Sequence, residues 1–237
     1  MITFKHKNWE NSLEISPENI SIVAVESPKR LWEYCNDLIN QTSGESGGFL
    51  VFKSYQEQPF DKFISAEISV PSLTLNTKKL QTALIKKCAE LSVSPDYEER
   101  LRTVSLRLFN FCKEVCQDIG YTTELSEDID LPALFKLFSL GFKEEYISFS
   151  EKLVEYVNAC TEFLKPRIFV FLFLTKFLTI EELSAFCEHC RYQGISLILI
   201  EDSFPQGLSE SINVLYKGII IDKDDCEILK NFKNILQ

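Results

Sequence analysis

Residues 20–30 read Ile-Ser-Ile-Val-Ala-Val-Glu-Ser-Pro-Lys-Arg, an almost continuously apolar stretch followed by a polar turn. Such a stretch is typical of a strand buried on both faces, as in the parallel sheet of an α/β domain. In a nucleotide-binding domain a glycine-rich phosphate loop would follow this strand. No glycine occurs between residues 20 and 42, Glu26 brings negative charge, and Pro28 lacks an N–H donor. The stretch therefore predicts the architecture of an NTPase without its phosphate loop.

The last third of the chain repeats this strand pattern. Residues 168–174, 195–200 and 218–221 are apolar runs of strand length. Between the first two, Thr179 and Glu182 form a capping-box pattern that predicts the start of a helix, and Gly194 is expected to end it. Alternating buried strands and helices indicate right-handed crossovers in a mostly parallel sheet.

The middle of the chain has helical periodicity instead. We predict an α-helical leg domain over residues 75–164, inserted into an α/β head domain formed by residues 1–74 and 165–237. Asn76 is the expected N-cap of its first helix. A second, long helix beginning near Pro95 carries a stripe close to a heptad repeat, which predicts lengthwise packing on another helix. The stripe consists of Leu101, Val104, Leu108, Phe111, Cys112, Val115 and Ile119.

Composition and charge limit the compartment and the partners. Eight scattered cysteines, the lack of a signal-peptide pattern and a longest apolar run of seven residues predict a cytoplasmic protein without a membrane segment. The net charge of −10 argues against nucleic acid at first sight, but the charge is segregated along the chain. The candidate DNA-binding residues, chosen by local charge, are Lys29, Lys53, Lys78, Lys79, Lys86 and Lys87. The lysine pairs at 78/79 and 86/87 suit phosphate contacts, although a solvated helix face explains them equally.

An acidic run at residues 118–130 holds five carboxylates and no basic residue. A solvated loop between helices is one interpretation. Calcium is the other, because Ca²⁺ takes six to eight oxygen ligands in flexible geometry. The run lacks the glycine and the spacing of an EF-hand.

No pattern in the sequence indicates catalysis. Cys187 and Cys190 lack the further ligands of a structural zinc site and are expected to be core residues. Asp202 ends an apolar strand, as a magnesium-binding acid would, but no phosphate loop accompanies it. With two histidines and no nucleophile elbow, we expect no enzymatic activity.

Several segments together make the chain similar to the type II-A CRISPR-associated Csn2 family. They are Leu75-Asn-Thr-Lys-Lys-Leu80, Glu127-Asp-Ile129, the strand at 169–174, the helix start Leu178-Thr-Ile-Glu-Glu182, and Ile219-Ile-Ile-Asp-Lys-Asp-Asp-Cys-Glu-Ile228. The resemblance covers nearly the whole chain in the order of its elements. The last segment is the most distinctive of them.

The resemblance implies an α/β head related to P-loop NTPases without Walker motifs, and a helical leg. It also implies a homotetrameric ring that takes linear double-stranded DNA into a lysine-lined channel during acquisition of new spacers, in antiviral defence. Family members bind Ca²⁺ through acidic residues, and Glu127 and Asp128 match that position. Glu124, Asp130 and Glu144 lie near it in sequence and complete the candidate metal ligands.

Our first hypothesis is therefore a non-catalytic, Ca²⁺-dependent binder of DNA ends that works with the integrase and effector nuclease of CRISPR adaptation. One rival is a degenerate NTPase that uses Asp202. The other is a scaffold whose helices contact only other proteins of the adaptation complex.

Overall fold

The structure, a computed structural model, describes residues 1–205 and 215–232. The chain forms two compact units, the first made of Met1–Leu73 and Glu145–Gln237 and the second of Thr74–Glu144. The second unit is an insertion in the first. The insertion was predicted to extend to residue 164, but the second unit ends at Glu144. The helix Phe149–Phe163 therefore belongs to the first unit.

Ten strands form two sheets in the part of the first unit that the structure describes. In chain order they are β1 (Ile2–His6), β2 (Leu13–Ile15), β3 (Asn19–Val25), β4 (Phe49–Lys53), β5 (Gln56–Glu57), β6 (Ile64–Glu67), β7 (Ile168–Leu172), β8 (Ser196–Glu201), β9 (Leu215–Ile221) and β10 (Glu227–Phe232). The larger sheet has the order β10-β9-β3-β8-β7-β6. All its pairs are parallel except β9 with β10, which confirms the predicted α/β class.

The smaller sheet, β2-β1-β4-β5, is entirely antiparallel and was not predicted as a separate sheet. The short apolar segments of β1, β2 and β4 were recognisable in the sequence, whereas β5 is the polar pair Gln56-Glu57. The partners of these strands were not recognisable, because long-range pairing, as between Thr3 and Phe52 or His6 and Phe49, leaves no local signal in a single sequence.

Seven α-helices accompany the sheets in the described residues. They are α1 (Pro28–Thr42), α2 (Phe60–Phe63), α3 (Lys78–Ser92), α4 (Pro95–Gln117), α5 (Leu131–Leu137), α6 (Phe149–Phe163) and α7 (Ile180–Tyr192). The predicted capping box of α7 is confirmed, since Thr179 accepts from the Glu182 N–H while the Glu182 carboxylate accepts from the Thr179 N–H. Gly194 follows α7 with a φ of +69°, the left-handed conformation that glycine adopts at little cost.

The core of the first unit lies on both faces of the larger sheet. On one face Val23, Val170 and Ile198 belong to a cluster that includes the aromatic side chains of the smaller sheet and of α1. On the other face Phe171 meets the ring of Phe186, on α7, edge-on at 5.9 Å between centroids. Every residue of β7 and β8 is buried, as expected for central strands of a parallel sheet covered on both sides.

The helical second unit is less completely packed. Helix α3 buries Leu80 and Ile85, whereas α4, with 23 residues, buries none. Lengthwise packing of the α4 stripe on another helix therefore stays a prediction. Val104, Leu108, Phe111 and Val115 are all exposed, because no described helix covers that face.

Candidate nucleic-acid interface

The four candidate lysines of the second unit lie on α3. Thr77 is the N-cap of this helix and accepts a hydrogen bond from the Leu80 N–H. Leu80 and Ile85 are buried, whereas Lys78, Lys79, Lys86 and Lys87 are all exposed. At 100° per residue, Lys79 and Lys86 lie opposite the buried side, and Lys78 and Lys87 flank it on its two edges. Helical geometry puts Lys79 and Lys86, seven residues apart, almost in line and about 10 Å apart along the axis.

One acidic residue stands among these lysines on α3. Glu90 lies 3.9 Å from the Nζ atom of Lys86, and both side chains are well exposed. An exposed ion pair at this spacing contributes little and is screened by salt. Helix α3 therefore carries four exposed lysines against one glutamate, a charge excess suited to a phosphate backbone.

The other two candidate lysines lie in the first unit. Lys29 is exposed in the first turn of α1, and Lys53 is exposed at the end of β4. Each stands in solvent and is available for a phosphate contact, but neither belongs to the α3 group.

Asn76 and Glu144 join the two ends of the second unit. The Nδ2 atom of Asn76 donates to the Phe142 carbonyl at 3.0 Å and to Oε2 of Glu144 at 3.1 Å, and its Oδ1 atom accepts from the Phe142 N–H at 2.9 Å. Glu144 also accepts from the Leu75 N–H and from the Thr74 hydroxyl, both at 2.8 Å. Asn76 was expected to cap α3. It instead forms these hydrogen bonds with Phe142 and Glu144, which the sequence did not predict.

The predicted calcium ligands do not converge in one chain. Glu124, Glu127 and Asp128 are exposed, and Asp130 caps α5 by accepting from the Ala133 N–H at 3.0 Å. Glu144 accepts three protein hydrogen bonds. Within residues 1–205 and 215–232, no group of three His, Cys, Asp or Glu side chains is placed to hold a metal ion. As arranged here, these residues do not fit a calcium ion.

The connection from β3 to α1 occupies the position of a phosphate loop. β3 ends at Val25 and α1 begins at Pro28, so two residues make the turn. The Glu26 N–H donates to the Ile221 carbonyl at 2.8 Å. Arg30, in the first turn of α1, is paired with Glu33 at 2.9 Å and with Asp225 at 3.1 Å. The turn has neither the length nor the glycines of a phosphate loop.

The acidic end of β8 is satisfied by the protein itself. Glu201 is fully buried and accepts from the Thr175 N–H at 3.0 Å and the Thr175 hydroxyl at 2.7 Å. Burial raises the pKa of Glu201, although the hydrogen bonds from Thr175 oppose the shift. Asp202 lies 2.8 Å from the Nζ atom of Lys176, whose hydrogen bond lowers the pKa of Asp202. No observation here favours the use of Asp202 as a magnesium ligand.

Cys187 and Cys190 are core residues of α7, as predicted. Both are buried, and burial raises the pKa of both thiols. The thiolate form that binds zinc is therefore disfavoured. His189, between them, is hydrogen-bonded to Asn158 at 2.9 Å.

Comparisons with known proteins agree with this fold. The crystal structure of Stu0660 of Streptococcus thermophilus matches with a TM-score of 0.58 and 9% identity, over 98% of this chain and 76% of that chain. An ATP-binding cassette of an ABC transporter, MJ1267 in its ADP conformation, matches with a TM-score of 0.48, 12% identity and coverages of 98% and 91%. A nucleotide-free ATP-binding cassette from an ABC transporter matches with a TM-score of 0.45 and 10% identity, over 98% of this chain and 92% of that chain. The comparison with curated proteins gives no match.

The molecule is thus an α/β protein with a largely parallel sheet and an inserted helical unit. Residues 70–225, about two thirds of the chain, match the family described as CRISPR-associated protein (Cas_Csn2). The chain belongs to this Csn2 family, and the resemblance drawn from the sequence is confirmed. Among the helices of the described residues, none combines the length and the apolar character needed to cross a membrane.

Proposed function

We propose that this protein binds the ends of linear double-stranded DNA during CRISPR adaptation, as a homotetramer and without catalysing a reaction. The observation that carries the proposal is the group of four exposed lysines on α3 in a member of the Csn2 family. Contacts from lysine to phosphate recognise the DNA backbone and carry no sequence information. We therefore expect binding that is independent of base sequence and that weakens steeply with salt.

The missing phosphate loop supports a non-catalytic role. The turn after β3 has two residues and no glycine, so it is not the loop that surrounds the phosphates of a nucleoside triphosphate. Asp202, the candidate magnesium ligand, is paired with Lys176. The rival NTPase hypothesis predicts that a nucleotide with magnesium raises the melting temperature, because a ligand that binds only the folded state stabilises it. We expect no such rise.

The helical unit supports assembly. An isolated helix is marginal in water, and α4 has a row of exposed apolar side chains along its length. A homotetramer would cover such a face, and contacts with the integrase and effector nuclease of adaptation would use other surfaces.

The calcium dependence stays a prediction. The candidate carboxylates do not come together around one point in a single chain, within the described residues. Calcium binding would therefore require a rearrangement of the acidic segment or ligands from a second copy. Nothing else in the proposed function is built on calcium.

The experiment that tests the proposal compares a linear duplex with the same duplex as a closed circle, in gel-shift titrations at matched salt. A protein that takes DNA through its ends binds the linear form and leaves the circle free. Equal affinity for both topologies would exclude entry from DNA ends. Lys79→Gln with Lys86→Gln should weaken binding to the linear form, whereas the control Lys62→Gln with Lys223→Gln, exposed lysines of the first unit, should not.

A further inference from the structure

A groove of about 360 Å³ lies between α6 and α7 of the first unit. Each helix lines it with three residues at positions i, i+3 and i+4, which share one helical face. They are Glu151, Val154 and Glu155 of α6, and Glu182, Ala185 and Phe186 of α7. The groove therefore combines an apolar lining with three carboxylates. It is open to solvent, since Glu151, Glu155 and Ala185 are exposed.

Two of these carboxylates are held in place by the protein. Oε2 of Glu182 accepts from the Thr179 N–H at 2.9 Å, and its Oε1 atom accepts from the Ser150 hydroxyl at 3.3 Å. Oε2 of Glu151 accepts from the Ile147 N–H at 2.8 Å. Both acids lie in the first turn of a helix, where the helix dipole favours negative charge. The groove is therefore ordered before a partner arrives, which lowers the entropic cost of binding.

The third carboxylate has no such role. Glu155 lies in the second turn of α6, is exposed, and makes no hydrogen bond or ion pair within residues 1–205 and 215–232. The charge of the two helices is unbalanced as well, with six glutamates against Lys152 and Arg191. An acidic surface of this kind repels the phosphates of DNA and attracts a cationic partner.

We propose that the α6/α7 groove binds a basic segment of another protein, with one apolar side chain in the groove and lysine or arginine beside it. A cation alone would make no use of Val154, Ala185 and Phe186, and a purely apolar segment would leave Glu155 without a partner. Ile147, next to the lining residue Ser148, is 98% exposed and adds apolar surface beside the groove.

The chemistry of the groove also suits the setting of the proposed function. Lysine- and arginine-rich segments are typical of proteins that bind nucleic acid. A partner that acts on the same DNA would carry such a segment. The inference rests on the proposed function only for this role of the partner, because the groove itself belongs to a surface separate from the α3 lysines.

A labelled peptide tests the groove without DNA. The probe is an alanine-based helix of about 14 residues with one central leucine and lysines three and four residues to either side, so that all five share one face. Fluorescence anisotropy should show binding that weakens with added salt. The same peptide with glutamate in place of lysine, or with alanine in place of leucine, should bind at least about tenfold more weakly, a loss of about 1.4 kcal/mol.

Two variants locate the peptide on the protein. Glu155→Lys should raise the dissociation constant about tenfold, because a repulsion replaces an attraction. Glu162→Lys makes the same change of charge about 10 Å farther along α6, where salt screens exposed charges, and should have little effect. Ala185→Arg puts a cation of the protein itself into the groove and should weaken binding as much as Glu155→Lys does. Helicity by circular dichroism should be unchanged in all three.

Several outcomes would overturn the inference. They are a probe that does not bind wild-type protein, equal losses in Glu155→Lys and Glu162→Lys, and full binding to Ala185→Arg. A smaller mass of Glu155→Lys in sedimentation equilibrium would assign the groove to a second copy instead, and tighter binding of linear duplex by Glu155→Lys alone would assign it to DNA. A groove that passes, in a protein that binds circular and linear DNA equally, would overturn the proposed function alone.

Discussion

The Nδ2 atom of Asn76 lies 3.1 Å from Oε2 of Glu144, and these two residues hold together the first and last segments of the helical unit. Glu144 also accepts the Leu75 N–H at 2.8 Å, and Asn76 forms two hydrogen bonds with the backbone of Phe142. Both side chains are partly buried. A change at either one leaves backbone groups without partners, a loss that typically costs about 1–3 kcal/mol.

We expect Glu144→Ala to lower the free energy of unfolding of the helical unit by about 1–3 kcal/mol, for that reason. Urea unfolding followed by circular dichroism measures the change. Glu127→Ala, on the exposed acidic segment, is the matched control and should alter stability by less than about 0.5 kcal/mol. In a double-mutant cycle with Asn76→Ala the two effects should be less than additive, since the residues share one hydrogen bond. Strict additivity would show that they act separately.

The stability of the first unit should depend on pH through His6. This side chain is 1% exposed, its Nε2 atom lies 2.9 Å from Oδ2 of Asp37, and its Nδ1 atom accepts from the Asn8 N–H at 3.2 Å. The ring proton is therefore on Nε2, and a second proton at Nδ1 would break the bond from Asn8. Burial lowers the pKa of His6 below its ordinary value of 6.5, although Asp37 opposes the shift.

Because the folded-state pKa is the lower one, the unfolded chain binds more protons as the pH falls below about 6.5. The free energy of unfolding should then decrease with falling pH, by no more than about 1.4 kcal/mol per pH unit for one proton. Urea titrations between pH 5 and pH 7.5 measure this slope. His6→Gln, which keeps a donor toward Asp37 and cannot titrate, should flatten it. An unchanged slope in His6→Gln would assign the dependence to other groups.

The sequence was most informative where a pattern depends on one element alone. β3, β7 and β8 are buried on both faces, so their continuous apolar character identifies them without knowledge of their neighbours. The start of α7 was equally predictable, since Thr179 and Glu182 satisfy the first turn of their own helix.

The sequence was less informative where one pattern is compatible with several partners. An asparagine before a helix is a good N-cap, but Asn76 contacts Phe142, 66 residues away, and Thr77 makes the cap. A heptad stripe predicts that α4 packs on a helix, but not whether that helix belongs to the same chain. Glu127 and Asp128 are neighbouring carboxylates, and their negative charges repel each other unless a cation is present.

Calcium binding gives a prediction about stability that needs no DNA. If the acidic segment binds Ca²⁺, wild-type protein should be stabilised by about 2.7 kcal/mol at a calcium concentration about one hundred times the dissociation constant. Glu127→Ala with Asp128→Ala should remove most of that stabilisation. The control Glu45→Ala with Asp61→Ala changes two exposed acids of the first unit and should leave it intact. Differential scanning calorimetry with calcium, magnesium or a chelator provides the measurement. Equal stabilisation of both variants would place the ion elsewhere.

The lysines of α3 should determine how DNA binding responds to salt. Each lysine that neutralises a phosphate contributes about −0.9 to the slope of log K against log salt concentration, because one condensed counterion is released. Lys79→Gln with Lys86→Gln removes the two aligned cations of α3. The slope for a linear duplex should become less steep by about 0.9 for each phosphate that is no longer neutralised, and affinity should fall equally for duplexes of different sequence.

Fluorescence anisotropy between about 50 and 300 mM salt, a range over which phosphate contacts weaken strongly, measures the slope for wild type, the α3 variant and Lys62→Gln with Lys223→Gln. The first-unit control has the same change in net charge, so it separates a direct phosphate contact from a general effect of charge. A loss of affinity without a change in slope would mean that the α3 lysines shape the fold or the assembly and do not touch phosphate. Equal changes in slope for the two variants would mean that net charge, and not the α3 face, governs binding.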